Sequence, residues 1–299
     1  MQVAAGVGKP VPSRRARAAF ISPRVAQRGL LYLVVTLTSL MFLFPYFWTV
    51  SSSLKTAIEL MAWPPTMIPR AMQWQNYPQV FIDAPFALFV WNSTFVTILA
   101  AIGQVLSSVV VAYGFARMRF PAREFLFGLC LSTMILPPQV TIIPLFLLFR
   151  KIGWVDTFYP LIVPSWFAGA FSVFLLRQFI MTIPYDLDEA AIIDGASRLS
   201  ILWHIVIPNS GAAIATVAVF SFLGNWNAFL EPFIFLNKNT KFTLPVGLRY
   251  LVSIPTGPGL PRDNILMAAC VMATFPVILL FFVAQRYFVE GIVTTGIKG

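Results

Sequence analysis

The sequence predicts an all-α integral membrane protein with six transmembrane helices and one long cytoplasmic loop of helical character. Three observations predict it. Apolar residues make up 58% of the 299 residues and charged residues only 11%, against about a quarter charged in an ordinary soluble protein. Six apolar runs each reach roughly the 20 residues needed to cross a hydrocarbon core. The basic residues sit between those runs or at their ends. The net charge of +10 therefore reads as an orientation signal. A nucleic-acid footprint would gather the basic residues on one face instead.

Residues 1–28 carry Lys9, Arg14, Arg15, Arg17, Arg24 and Arg28. They are expected to form a retained cytoplasmic arm, not a cleavable signal, because the apolar run that follows is long enough to span. Residues 29–288 are expected to form one six-helix membrane domain and residues 289–299 a cytoplasmic tail. The spans are expected from about Leu30 to Val50, Phe86 to Tyr113, Glu124 to Phe149, Phe158 to Ile180, Ser210 to Leu236 and Ile265 to Tyr287, within the few residues that boundary reading allows. The third run contains Pro137, Pro138 and Pro144. Gly103, Gly169 and Ala170 suit close approach of neighbouring helices. Trp48, Trp63 and Trp91 fall near expected outer boundaries, where indoles form an interfacial belt.

An even number of spans puts both termini on one side. Arg117, Arg119 and Arg123 in the second connection, Arg177 and Arg198 around the fourth, and Arg286 and Lys298 in the tail join the N-terminal arm there. That side holds thirteen of the twenty-one basic residues, so the positive-inside rule makes it cytoplasmic. The opposite connections, Ser51 to Pro85 and Asn237 to Asn264, are long and rich in proline. Such stretches do not continue helices and serve either as simple connectors or as a surface for an external partner.

Cys130 and Cys270 lie far apart inside apolar runs, and His204 is the single histidine. A disulfide framework, a zinc site and a histidine-based triad all lack their residues. A phosphate-cradling loop is absent too. The nearest approach, Gly291 to Gly296, has its lysine one place late and no following Ser or Thr.

The fourth connection, residues 186–208, has the pattern of two short helices. Asp186 with Glu189 three later has the form of a capping box. Glu189, Ala190 and Ala191 favour helix, Gly195 can end it in a left-handed conformation, and Ser197 can cap a second helix. Pro208 marks the turn into the fifth span. The small side chains of Ala190 and Ala191 would let another surface approach the backbone, and Glu189 and Asp194 offer charge. A docking element and a capped helix lying on the bilayer surface both fit this pattern.

Glu189-Ala190-Ala191, three residues, Gly195, nine residues, then Ile205-Val206-Ile207-Pro208 resembles the EAA loop of ABC importer permeases, with Ile207 where the family has Leu. Pro64-Pro65, Asn76-Tyr77, Trp91-Asn92-Ser93, Leu136-Pro137-Pro138-Gln139, Ile143-Pro144-Leu145 and the final residues from Gln285 resemble maltose-type sugar permeases of the MalG kind. The resemblance implies a permease subunit of the bacterial or archaeal cytoplasmic membrane that moves a carbohydrate by alternating access. It implies a second permease as heterodimer partner, a dimer of ATP-binding subunits that hold ATP and Mg, an extracytoplasmic solute-binding protein and surrounding lipid, and no nucleic acid. ATP hydrolysis is then expected in those separate subunits, and Glu189, Ala190, Ala191, Asp194 and Gly195 are the expected contacts to them.

Within the spans, Asn225, Asn227 and Glu231 are the prominent polar residues; Asn227 and Glu231 are four apart and are expected to share a face, and Pro232 can kink the helix that carries them. Intramembrane ionisable groups usually face a bundle interior or a water-filled cavity. These three, with Gln139, are expected either to line a translocation path or to make helix–helix hydrogen bonds. An ion-driven secondary carrier is the alternative, although such carriers show inverted repeats and none is evident here. A non-transporting sensor or scaffold permease is a third possibility.

Overall fold

The computed structural model describes residues 23–254 and 261–296, with side chains described from 27 to 254 and from 261 to 285. The expected arm before residue 23 and Lys298 of the tail lie outside the described residues. Among the described residues every regular element is helical. The chain divides into two units, residues 1–48 and 49–299. The described part of the first is continuous helix with Leu30, Leu33, Leu37, Met41 and Phe44 exposed.

The elements run α1 Pro23–Ser53, α2 Ala57–Met61, α3 Asn76–Asp83, α4 Phe86–Arg117, α5 Arg123–Ser132, α6 Pro138–Lys151, α7 Tyr159–Ile162, α8 Ala170–Thr182, α9 Asp186–Ile193, α10 Arg198–Ile201, α11 Ile207–Asn209, α12 Gly211–Trp226, α13 Leu230–Phe235, α14 Leu244–Ser253 and α15 Asp263–Gly296. Four stretches are long and apolar enough to cross a membrane unaided: Gln27–Ser53, Phe86–Arg117, Tyr159–Thr182 and Asp263–Gln285. Two bent pairs raise the number to six if each pair is one span.

The bent pairs show that two of the expected spans are broken and not single helices. The third run turns by 96° between Ile135 and Pro138. Pro137 and Pro138 each lack an N–H and disfavour helical backbone in the residue before them. Leu136 and Pro137 are accordingly extended, and Pro138 opens α6. The fifth run is not one helix either. Arg198–Asn209 meets α12 at 81°, and α12 stops at Trp226 after 16 residues, about 24 Å at 1.5 Å per residue. Pro232 does not kink a continuous helix. It sits in the first turn of the separate helix α13, where a missing N–H costs nothing. The sixth helix runs on to Gly296, so the boundary expected at 288 is no break in secondary structure.

With 32 residues, α4 is about 48 Å long and forms the central post of the second unit. At its C-terminal half Val109, Ala112 and Tyr113 pack with Val173, Leu176, Ile180, Ile201, Val206 and Val217. At its other end Phe86 and Phe89 join Val80, Trp226, Leu244, Leu251 and Ile265. Gly103 lets Trp166 lie against the middle of α4. A Cβ at residue 103 would fall inside the indole.

The connection after α1 is a folded cap, not a slack linker. The Asn76 amide donates to the carbonyls of Ser53 and Lys55 at 2.8 and 2.9 Å, and its oxygen accepts from Asn264 at 3.1 Å. A second tie involves Asp156. Its carboxylate accepts from the N–H groups of Asn237 and Lys238 at 3.1 and 3.2 Å and from the Lys241 ammonium at 3.1 Å. Burial pushes this carboxyl upward, but the Asn237 N–H, Lys241 and the Lys238 N–H outweigh it and hold it below the usual carboxylate range. This pins the α6–α7 connection to the α13–α14 connection.

Candidate functional site

The loop from 186 to 208 forms the two helical pieces expected. Its first helix, α9, places Asp186, Asp188 and Glu189 in the first turn, where carboxylates favour the positive end of the helix dipole. Asp186 is not the cap. Tyr185 holds that position without a side-chain bond, so the expected capping box does not form. The C-terminus is a Schellman motif. The Ala196 N–H donates to the Ala191 carbonyl at 2.8 Å and the Gly195 N–H to that of Ile192 at 3.0 Å, with Gly195 at φ +80°. A Cβ there would meet nothing within 4 Å, so glycine is needed for its backbone alone. Gly195→Ala is expected to cost about 1–2 kcal/mol, the strain of an L-residue in the left-handed region, read as a lowered unfolding temperature of the purified transporter.

Ser197 caps the second piece by accepting from the Ser200 N–H at 3.2 Å. That piece continues through a π-helical turn, Leu202–Val206, into α11. Pro208 brings no N–H and crowds the preceding turn. The wider π turn accommodates it, and the Asn209 amide donates to the Ile205 carbonyl at 2.7 Å.

The loop is fastened to the helices by groups the sequence presented as surface charge. Arg117, in the last turn of α4, donates from Nη2 to the carbonyls of Ile180 and Ile183 at 3.0 and 2.6 Å, at the C-terminal end of α8. Its Nε stands 3.6 Å from Oδ2 of Asp188, with the side chains 5% and 0% exposed. The guanidinium also lies over the Tyr185 ring, 5.5 Å from its centroid. Arg177 is likewise internal. It pairs with Glu124 at 3.0 Å and lies over Phe127 at 4.0 Å, tying α8 to α5. Neither the Arg117–Asp188 pair nor its depth has a local sequence signature.

With Asp188 turned inward, Glu189, Ala190, Asp194 and Gly195 are exposed and Ile193 is 86% exposed. Ala191 is half-buried and packs on the cluster around Leu176 and Ile201, so of the two alanines only Ala190 lies on the exposed face.

A cavity of about 370 Å³ opens between α4, α6, the segment 160–165 and the broken fifth run. Asn225 and Glu231 both line it, with Ser93, Thr97, Thr141, Ser165 and Thr243 and with apolar walls that include Phe149 and Phe235. The other two expected path residues do not line it. Asn227 follows the last residue of α12, is exposed, and donates to the Leu223 carbonyl at 2.9 Å. Because the helix ends before it, Asn227 and Glu231 share no helical face. Gln139 is exposed in the first turn of α6. No local motif singles out Thr97 and Thr243, whose hydroxyls are buried without a hydrogen-bond partner among the described residues.

Residues 104–294 match the family described as "Binding-protein-dependent transport system inner membrane component". The chain is 34% identical over 260 residues to the arabinooligosaccharides transport system permease protein AraQ of Halalkalibacterium halodurans, covering 86% of this chain and 91% of that protein. It is 32% identical to the sn-glycerol-3-phosphate transport system permease protein UgpE of Yersinia enterocolitica, covering 85% and 92%. It is also 32% identical to the sulfoquinovosyl glycerol transport system permease protein SmoH of Agrobacterium fabrum, covering 86% and 89%. Its fold resembles a chain of a bacterial ABC transporter that imports the acidic polysaccharide alginate, with a TM-score of 0.78 at 24% identity over 90% of this chain and 99% of that one. The matched region contains the whole 186–208 loop, and the chain belongs to the binding-protein-dependent transport system inner membrane component family.

Proposed function

We propose that this chain is one half of the membrane pore of an ATP-driven importer for a sugar or sugar derivative, and that the 186–208 loop is where an ATP-binding subunit grips it. The carrying observation is the two-sidedness of α9. Asp188 locks one side to Arg117, while Glu189, Ala190, Ile193 and Asp194 stand free on the other. A helix fixed to the spans on one side and exposed on the other suits force transmission. The substrate class is supported by the names of the relatives, which concern arabinooligosaccharides, sn-glycerol-3-phosphate and sulfoquinovosyl glycerol.

On this reading the partners are a second permease, a pair of ATP-binding subunits that hold ATP and Mg, and an extracytoplasmic solute-binding protein. Both termini and the loop face the cytoplasm. Closure of the ATP-binding pair moves α9. Arg117 carries that movement to α4 and α8, and α4 also walls the cavity at Ser93 and Thr97. The pore then alternates because ATP and the loaded binding protein both favour its outward-open state.

Co-expression with the neighbouring transporter subunits tests this. The chain is expected to co-purify with an ATPase whose hydrolysis in proteoliposomes rises when loaded binding protein is added. Uptake by this chain alone without ATP would assign it to the ion-driven carriers. Stable ATPase association with no stimulation by any loaded binding protein would make it a sensor.

A further inference from the structure

We propose that the cavity between α4, α6, α12 and α13 is a binding subsite within this subunit for an uncharged, polyhydroxylated ligand: a glycan unit without carboxylate, phosphate or sulfonate. The proposal rests on the importer reading and adds to it which chemistry this half of the pore accepts.

The first argument is charge. Among the described residues Glu231 is the one ionisable group lining the cavity, and no Lys, Arg or His lies in its wall. An anionic ligand would meet a carboxylate in a partly desolvated place and find no cation to offset it. A neutral polyol would find acceptors in Glu231 and the Asn225 oxygen, and hydroxyls in Thr141 and Ser165 that both donate and accept. The apolar wall suits the C–H faces of a sugar ring.

The second argument is two hydroxyls without partners. Thr97 is 0% and Thr243 4% exposed, both line the cavity, and neither Oγ1 has a hydrogen-bond partner among the described residues. Buried hydroxyls left unpaired are costly. Both residues have local bonds they do not make. Thr94, on the same helix as Thr97, donates to the carbonyl four residues back, that of Val90, at 2.7 Å. Thr97 makes no such bond. Thr243 holds the N-cap position of α14, where a hydroxyl ordinarily accepts a first-turn N–H, and it makes no such bond either. Helical threonine populates two side-chain wells, so the Thr97 hydroxyl has a second orientation that leaves the backbone in place. Two hydroxyls held in reserve beside one cavity fit a ligand that is itself a dense array of hydroxyls.

The test uses the complete transporter, purified in detergent with its partner subunits and without its solute-binding protein. Equilibrium binding is measured for radiolabelled arabinotriose and maltotriose as neutral probes and for sn-glycerol 3-phosphate as the anionic probe. At least one trisaccharide is expected to bind saturably, and sn-glycerol 3-phosphate about tenfold or more weaker. Thr97→Val and Thr243→Val are each expected to weaken trisaccharide binding by about three- to tenfold. Because each replaces an unpaired hydroxyl by a methyl, the unfolding temperature is expected to hold or rise, which separates a lost contact from a damaged fold. Glu231→Gln is expected to narrow the gap between neutral and anionic probes. Absence of saturable trisaccharide binding, unchanged affinity in both threonine variants, or equal affinity for sn-glycerol 3-phosphate would each overturn the subsite. ATP-driven uptake by proteoliposomes is scored separately. Its absence alongside threonine-dependent binding overturns the importer reading and upholds the subsite.

Discussion

An Arg117→Met variant is expected to lose about 3–5 kcal/mol of stability and to detach the 186–208 loop from the spans, because removing one partner strands a buried charge. The two partners are not equivalent. Arg117 retains the carbonyls of Ile180 and Ile183 and the Tyr185 ring if Asp188 is removed. Asp188 retains only the dipole of its own helix if Arg117 is removed, since neither of its oxygens takes a direct hydrogen bond among the described residues and the ion pair at 3.6 Å is its main compensation. Asp188→Asn is therefore expected to be the milder change, and Arg117→Met with Asp188→Leu to recover most of the lost stability, as apolar replacement of a whole buried pair often does. Thermal unfolding of the purified transporter measures all three. Coupling should behave differently from stability. The double variant keeps a packed junction but loses the grip on the α8 carbonyls, so ATP hydrolysis is expected to run without proportionate import. A double variant with wild-type import per ATP would show that packing alone transmits the motion and that the ion pair has no part in it.

What the sequence disclosed was what local rules control. Helical class followed from apolar run length. The bend at Gly195 and the cap at Ser197 followed from residue types whose preferences act within four residues. The breaks in the third and fifth runs were harder, although their prolines were in plain view. Hydropathy counts a run as one span whether or not its backbone turns, and Pro232 was as compatible with a kink as with the first turn of a new helix. The error over Asn227 and Glu231 came from that ambiguity, because a shared face presumes an unbroken helix. Arg117 and Asp188 are 71 residues apart in a sequence where both look like surface charges. Their pairing appears only once α4 and α9 are placed against α8. Thr97 and Thr243 were invisible for the same reason: a hydroxyl without a partner is a property of its surroundings.

Glu189→Lys is expected to cut association with the ATP-binding subunit by about 100-fold or more, the scale of losing a desolvated interfacial charge pair, and to bring import to background. The fold should survive it. Glu189 is exposed and in the first turn of α9, so reversing its charge forfeits a favourable dipole term of about 0.3–1 kcal/mol and no packing. The one-residue offset from Asp188 makes the contrast informative. Two neighbouring acids lie about 100° apart around the helix, one turned into the protein and one out of it. A change at the inner acid should lower the unfolding temperature first and assembly as a consequence. A change at the outer acid should abolish assembly while the unfolding temperature of the permease pair stays nearly constant. Glu189→Gln separates charge from shape, and is expected to retain partial binding whose salt dependence is weaker than that of the native protein. If docking uses this carboxylate, replacing a basic residue of the ATP-binding subunit that pairs with it by Glu should restore binding to Glu189→Lys, since the swapped pair regains its attraction. Full assembly and import in Glu189→Lys would mean that the outer face of α9 is not gripped through this carboxylate, and docking would have to rest on the bare apolar surface around Ala190 and Ile193.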